Sequence, residues 1–249
     1  MKLNICIAIQ VKSGELEETA NVIKKALENK ANLIELRFDY IDNIENISQK
    51  FAEDLLSLIH PKAKVIFTFR DYNEGGHIKL ENFLRLKLIK TLINAQPDYL
   101  DIEMASTIEI LKEVITLSVK KKVGLIFSYH DFKKTPTLEE SLKIIQNFKN
   151  KIREKLSMNL DIITNHIIKL IFTANLFEDN LVSLKLNQEF SKNNQKIISF
   201  CMSEPGMLSR FLCVNVGSFL TFASIEGKTA PGQIHIEKMR EIHQLLFSN

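Results

Sequence analysis

Short, nearly unbroken apolar runs alternate with longer amphipathic stretches along the whole chain. The runs cover 4–10, 33–39, 64–70, 98–103, 123–132, 167–174, 196–203 and 219–225. Each has the length of a strand. Continuous hydrophobicity over such a length marks strands of a parallel sheet, buried on both faces. The stretches between them carry helical periodicity. In the first, Leu16, Ala20, Ile23 and Leu27 fall on one face at helical spacing. Ser106-Thr107-Ile108-Glu109 and Thr137-Leu138-Glu139-Glu140 fit the capping-box pattern, so each predicts a helix start just after a strand. Pro136 agrees with a turn before the second of these. The longest gap, between the fifth and sixth runs, predicts one long helix over about 137–155.

Strand–helix alternation with short links implies a parallel sheet, closed as a barrel or open and doubly wound. Eight such units in 249 residues suit the (β/α)8 TIM barrel. The first turn, Gln10-Val11-Lys12-Ser13-Gly14-Glu15, lacks the GxGxxG pattern an open nucleotide-binding sheet would favour. No linker, low-complexity tract or longer repeat interrupts the pattern. The expected architecture is therefore α/β, with residues 1–249 forming a single catalytic domain.

Composition narrows the partners. The chain is 45% hydrophobic and 25% charged with a net charge of +3, ordinary values for a globular protein. No basic run is interleaved with aromatics as a nucleic-acid surface would be, and Lys120-Lys121-Lys122 reads as a helix end or solvated face. No apolar stretch is long enough to span a bilayer, and no signal peptide is evident. The expectations are no nucleic acid, no membrane and a cytoplasmic location. Three cysteines, Cys6, Cys201 and Cys213, match no disulfide or zinc framework. Cys6 and Cys201 read as core thiols. No two histidines stand at metal-ligand spacing, so no metal is expected.

In a (β/α)8 barrel the chemistry sits at the C-terminal ends of the strands, and unusual polar residues collect there. Glu35 and Arg37 share a face of the second strand, as a structural ion pair or as site residues. Arg70 ends the third, followed by Glu74-Gly75-Gly76. Asp101 and Glu103 end the fourth and read as supports or helix-capping acids. His130 ends the fifth. Lys169 lies inside Ile167-Ile168-Lys169-Leu170-Ile171-Phe172 of the sixth. A charged lysine in a buried strand is costly, so burial favours the neutral, nucleophilic amine. Such a lysine attacks a carbonyl to form a Schiff base. His130 is then the natural proton shuttle.

These residues resemble a known family. Glu35-Leu36-Arg37, Arg70 with Glu74-Gly75-Gly76, Ser128-Tyr129-His130-Asp131-Phe132, Lys169, Ser209-Arg210 and Ala230-Pro231-Gly232-Gln233 resemble, in order, the motifs of type I 3-dehydroquinate dehydratases. The resemblance implies dehydration of 3-dehydroquinate to 3-dehydroshikimate in the shikimate route. It implies an imine on Lys169, acid–base work by His130, and Glu74 orienting His130. It also implies that Arg210 holds the substrate carboxylate. Glu35, Arg37, Arg70, Thr229 and Gln233 would contact the substrate or order the pocket. No metal or organic cofactor and a homodimer are implied as well. Two positions depart from the usual pattern. Ala8 stands where a first-strand serine is common, and Thr229 replaces serine before Ala-Pro-Gly-Gln. No fused shikimate dehydrogenase is expected. The loop over 226–233, with Gly227, Pro231 and Gly232, is expected to act as a lid. Two rival readings are another Schiff-base barrel enzyme, such as a class I aldolase, and a catalytically inert scaffold.

Overall fold

The computed structural model describes residues 3–159, 161–225 and 232–247. Eight strands appear where the apolar runs predicted them: β1 (Ile5–Gln10), β2 (Leu33–Arg37), β3 (Lys64–Thr68), β4 (Tyr99–Glu103), β5 (Gly124–His130), β6 (Ile167–Thr173), β7 (Ile197–Met202) and β8 (Thr221–Ala223). All paired strands are parallel, in the order β7-β6-β5-β4-β3-β2-β1-β8. The ring closes just ahead of β8. Ser218 bridges Ile197, and the Phe219 N–H donates to the Ile197 carbonyl at 2.7 Å. The fold is a (β/α)8 barrel.

Helices α1 (Leu16–Glu28), α2 (Gln49–Ile59), α3 (Asn82–Asn94), α4 (Ile108–Lys121) and α5 (Leu138–Asn150) follow the first five strands. A π-helical turn, Lys151–Lys155, extends α5 to the end the sequence predicted. Beyond it come α6 (Asp161–Thr164), α7 (Asn180–Lys192), α8 (Met207–Leu212) and α9 (Ile236–Phe247). Among the described residues no helix is long and apolar enough to cross a membrane.

Two local expectations need correction. Thr137 does form a reciprocal capping box with Glu140. At α4, however, the cap is Thr107, whose hydroxyl accepts the Ile110 N–H. Ser106 is buried in the preceding turn, where its N–H is taken by the Glu103 carbonyl. In α1 the buried face is Thr19, Ile23 and Ala26, while Leu16 is exposed. The helix is turned about one residue from the face that counting apolar positions picks out.

Successive side chains of a strand point to opposite faces, and here that parity divides the molecule. Ile34, Leu36, Val65, Phe67, Leu100, Ile102, Leu125, Phe127, Ile168, Leu170 and Phe172 join the large outer core, between strands and helices. Leu33, Ile66, Ile126, Ile167, Ile171, Ile198, Phe200 and Phe222 form a separate inner cluster. Glu35, Arg37, Asp101, Glu103, Ser128, His130 and Lys169 have the inner parity. Apolar residues fill the lower barrel, and charge occupies its C-terminal half.

Candidate active site

Lys169 is flanked at i−2 and i+2 by inner-cluster residues Ile167 and Ile171, and only 5% of it is exposed. Its Nζ lies 2.8 Å from Asp101 Oδ2 and 3.8 Å from Glu35 Oε1, and 4.9 Å from the Phe222 ring centroid. Two carboxylates thus stand within ion-pair reach of the amine. Burial opposes ionisation of Asp101, but Arg70 and Lys169 outweigh it and hold its carboxyl well below the usual range.

Arg70 anchors the same cluster. Its NH2 is 2.9 Å from Asp101 Oδ2, and its NH1 donates to Glu103 at 3.0 Å and to Ser128 Oγ at 2.6 Å. Ser128 in turn donates to Asp101 at 2.6 Å. Behind Glu103 stands Arg85 of α3, which donates to its other oxygen. Charges therefore alternate from Lys169 through Asp101, Arg70 and Glu103 to Arg85, all buried. Buried charge is tolerated when every member is paired and hydrogen-bonded.

His130 ends β5. Its backbone N–H and its ring Nδ1 both lie 3.1 Å from Glu74 Oε2. Glu74 sits in the short helical turn Tyr72–Glu74, capped by the Asp71 side chain accepting the Asn73 N–H. The two glycines that follow are sterically required. Gly75 has φ +84° with the Phe132 ring against it, and a Cβ on Gly76 would sit 2.1 Å from the Arg70 carbonyl oxygen. Burial lowers His130 well below its usual range, with Arg70 and Lys169 acting the same way. Burial raises Glu74 to about 8, with Arg70 opposing. The pair therefore gains a proton near that pH. Acid beside imidazole and carboxylate beside imidazolium are both net neutral.

That shift has a stability consequence. A carboxyl raised from 4.5 to about 8 favours folding at low pH. The contribution is lost as pH rises from about 4.5 through about 8. Glu74→Gln keeps the shape and cannot ionise. We expect the variant to gain stability over the native chain between pH 5 and pH 9, by on the order of 4 kcal/mol. Unfolding in urea at both pH values checks this; a pH-independent difference would remove the buried carboxyl as its cause.

These groups open onto one cleft, with about 580 Å³ of space open to solvent. Glu35, Arg37, Arg70, Glu74, His130, Lys169, Arg210 and Gln233 all line it, beside Ala8, Phe132, Ile171, Phe200, Met202 and Phe222. Thr229, Gly227 and Pro231, with most of the expected lid, lie outside the described residues. Glu35 accepts from Thr68 Oγ1 at 2.6 Å. Arg37 does not pair with Glu35. It makes two 2.8 Å bonds to Asp39, which outweigh the burial that would lower it and leave it raised. Arg210, from α8, is 1% exposed and stacks on Phe200 with its guanidinium carbon 4.4 Å from the ring centroid. Burial pushes it down to about 10. A buried guanidinium at a cleft wall is suited to a carboxylate or phosphate.

In the sequence Asp101 and Glu103 read as supports or helix-capping acids, and Asp39, Thr68 and Arg85 do not stand out. The signal for Asp101 was its parity with Glu103 on a strand whose other residues are apolar. Arg85 gave none, because an arginine in an amphipathic helix ordinarily faces water.

Comparison with known proteins identifies the family. A family model described as Type I 3-dehydroquinase matches residues 5–249. A 3-dehydroquinate dehydratase of Methanocaldococcus jannaschii is 35% identical over 244 residues, covering 96% of this chain and 98% of that protein. The Methanococcus maripaludis strain C5 protein of the same name is 32% identical over 243 residues, covering 96% and 99%. The crystal structure of a type I 3-dehydroquinate dehydratase from Clostridium difficile, with covalently modified comenic acid, superposes with a TM-score of 0.81 at 29% identity. It covers 98% of this chain and 92% of that one. The Geobacillus kaustophilus 3-dehydroquinate dehydratase structure, at 23% identity and a TM-score of 0.82, supports the fold, covering 100% and 93%. With a family match over nearly its whole length and relatives above 30% identity along their full extent, this chain belongs to the type I 3-dehydroquinase family.

Proposed function

We propose that this chain removes water from 3-dehydroquinate to give 3-dehydroshikimate through an imine on Lys169, as a step of the shikimate pathway. The observation that carries the reading is a buried lysine, held by Asp101, opening onto the cleft that also holds the His130–Glu74 pair and Arg210. The whole chain acts as one catalytic domain, needs no metal or organic cofactor, works in the cytoplasm and pairs as a homodimer in this reading.

Lys169 first gives a proton to the His130–Glu74 pair, and its amine adds to the substrate ketone carbon. His130 returns a proton to the new hydroxyl, which leaves as water and yields the iminium. The iminium draws electrons from the neighbouring C–H bond. His130 takes that proton, and the electron pair forms an enamine. The enamine expels the hydroxyl one carbon further along, protonated by His130. Water then adds to the iminium carbon, Lys169 departs, and the conjugated ketone is released. One water is lost overall. Glu74 holds the imidazole by its Nδ1, leaving Nε2 for the substrate. Glu35, Arg37, Arg70, Thr229 and Gln233 hold the substrate's polar groups or order the cleft.

Borohydride reduces an imine to a stable amine. Treatment with borohydride and 3-dehydroquinate is expected to add substrate mass to the peptide containing Lys169, while untreated enzyme shows growth of conjugated-enone absorbance. A label on another lysine, or none under turnover, overturns the mechanism. An inert scaffold would show neither signal.

Arg210→Lys keeps the charge and loses the planar fork. The expected result is a KM increase of roughly 10- to 100-fold, the size of one charge-assisted hydrogen bond, with a smaller change in kcat. Unchanged KM would place the carboxylate elsewhere, with Arg37 and Arg70 as the next candidates.

A further inference from the structure

The catalytic cleft does not account for all the open space around Glu74. A second cleft opens between the segments that follow β3 and β4, bordered by Asp71, Asn73, Asn82, Ala105 and Thr107, with about 550 Å³ of open space. Arg85, Glu103 and Ser106 form its buried polar wall. Among the described residues Glu74 alone lines both clefts. Its carboxylate is divided in use. Oε2 accepts the His130 backbone N–H and shares a hydrogen bond with the ring Nδ1, while Oε1 bonds to no described residue and is not sealed from open space.

We infer that this second cleft is a water-filled path joining the His130–Glu74 pair to bulk solvent while substrate fills the barrel mouth. The inference rests on the reading of His130 as proton shuttle. A substrate seated over Lys169 displaces water from the catalytic cleft and isolates the pair on that side. Mixed carboxylate, amide and hydroxyl groups around the second cleft supply the partners that ordered water requires. A carboxyl that borders both clefts can relay a proton. Its acid form releases the Oε1 proton to water as Oε2 takes the Nδ1 proton of the imidazolium, and rotation of the carboxyl resets it. The dehydration consumes no net proton. The path therefore sets how fast the pair re-equilibrates with solvent, not the stoichiometry.

Ala105 and Asn82 are exposed at the rim and line only the second cleft. Ala105→Leu and Asn82→Leu would fill it separately. The measurement is solvent exchange of the His130 ring proton by NMR, in the full chain carrying the borohydride-reduced 3-dehydroquinate adduct. Both variants are expected to form the adduct at the native level and to exchange about tenfold more slowly than the native adduct, as closure against water would produce. Native exchange rates in both filled variants would overturn the path. A variant that loses the adduct would assign its residue to the catalytic cleft, which also counts against it. Failure of the native chain to form any adduct on Lys169 would instead remove the function proposed above, and this inference with it.

Discussion

Lys169→Met is expected to abolish turnover and borohydride trapping together. Loss of a covalent nucleophile costs on the order of 10⁶-fold in kcat, the scale known from other enzymes whose mechanism passes through one attacking side chain. Methionine approximates the length and apolar stem of lysine, so the packing between Ile167 and Ile171 survives. What changes is charge. Asp101 keeps its 2.9 Å contact to Arg70 and its bond from Ser128 but loses the 2.8 Å contact to Nζ. The variant should therefore fold with modestly reduced stability, and circular dichroism with thermal unfolding separates loss of fold from loss of chemistry. A folded variant that still dehydrates 3-dehydroquinate within about a hundredfold of the native rate would show that no covalent step passes through this residue.

His130→Ala is the second large effect. General acid–base groups contribute roughly 10²–10⁴-fold, and His130 is placed in several proton transfers of the proposed sequence, so the upper part of that range is expected. The covalent step and the elimination should separate. With His130 absent, imine still forms on Lys169, more slowly, and borohydride still labels that peptide, while enone absorbance grows at a small fraction of the native rate. The structure makes the contrast readable, because removing the imidazole leaves the Lys169–Asp101–Arg70 contacts intact. Among the described residues Glu74 would keep only the backbone N–H of residue 130 as a side-chain partner. A variant within a few-fold of native activity would take His130 out of the proposed role.

Much of the site was legible because a strand has a period of two. Glu35 with Arg37, Asp101 with Glu103, and Lys169 between Ile167 and Ile171 declare a shared face in the sequence alone. Once eight apolar runs imply a closed parallel sheet, that face is the barrel interior, and its C-terminal half is where polar residues can meet a ligand. The strands, the capping box at Thr137 and the Gly75-Gly76 turn follow from local chemistry acting over a few residues.

Partner choice was not legible, since it depends on contacts far apart in the chain. Glu35 and Asp39 both stand two residues from Arg37, and spacing cannot choose between them. The short helical turn Phe38–Tyr40 after β2 folds Asp39 back onto the guanidinium, while Glu35 stays in the strand and takes Thr68. No spacing in the sequence marks a partner for Lys169. Asp101 precedes it by 68 residues, and closure of the barrel across β5 brings the carboxylate to 2.8 Å. Arg85 carries no mark in the sequence, and packing of α3 drives it inward to Glu103. Hydrophobic periodicity along the chain thus determined the barrel and the facing of its side chains. The pairing of charges inside was decided by the tertiary structure, because a buried ion takes whichever opposite charge the folded geometry delivers within hydrogen-bond reach.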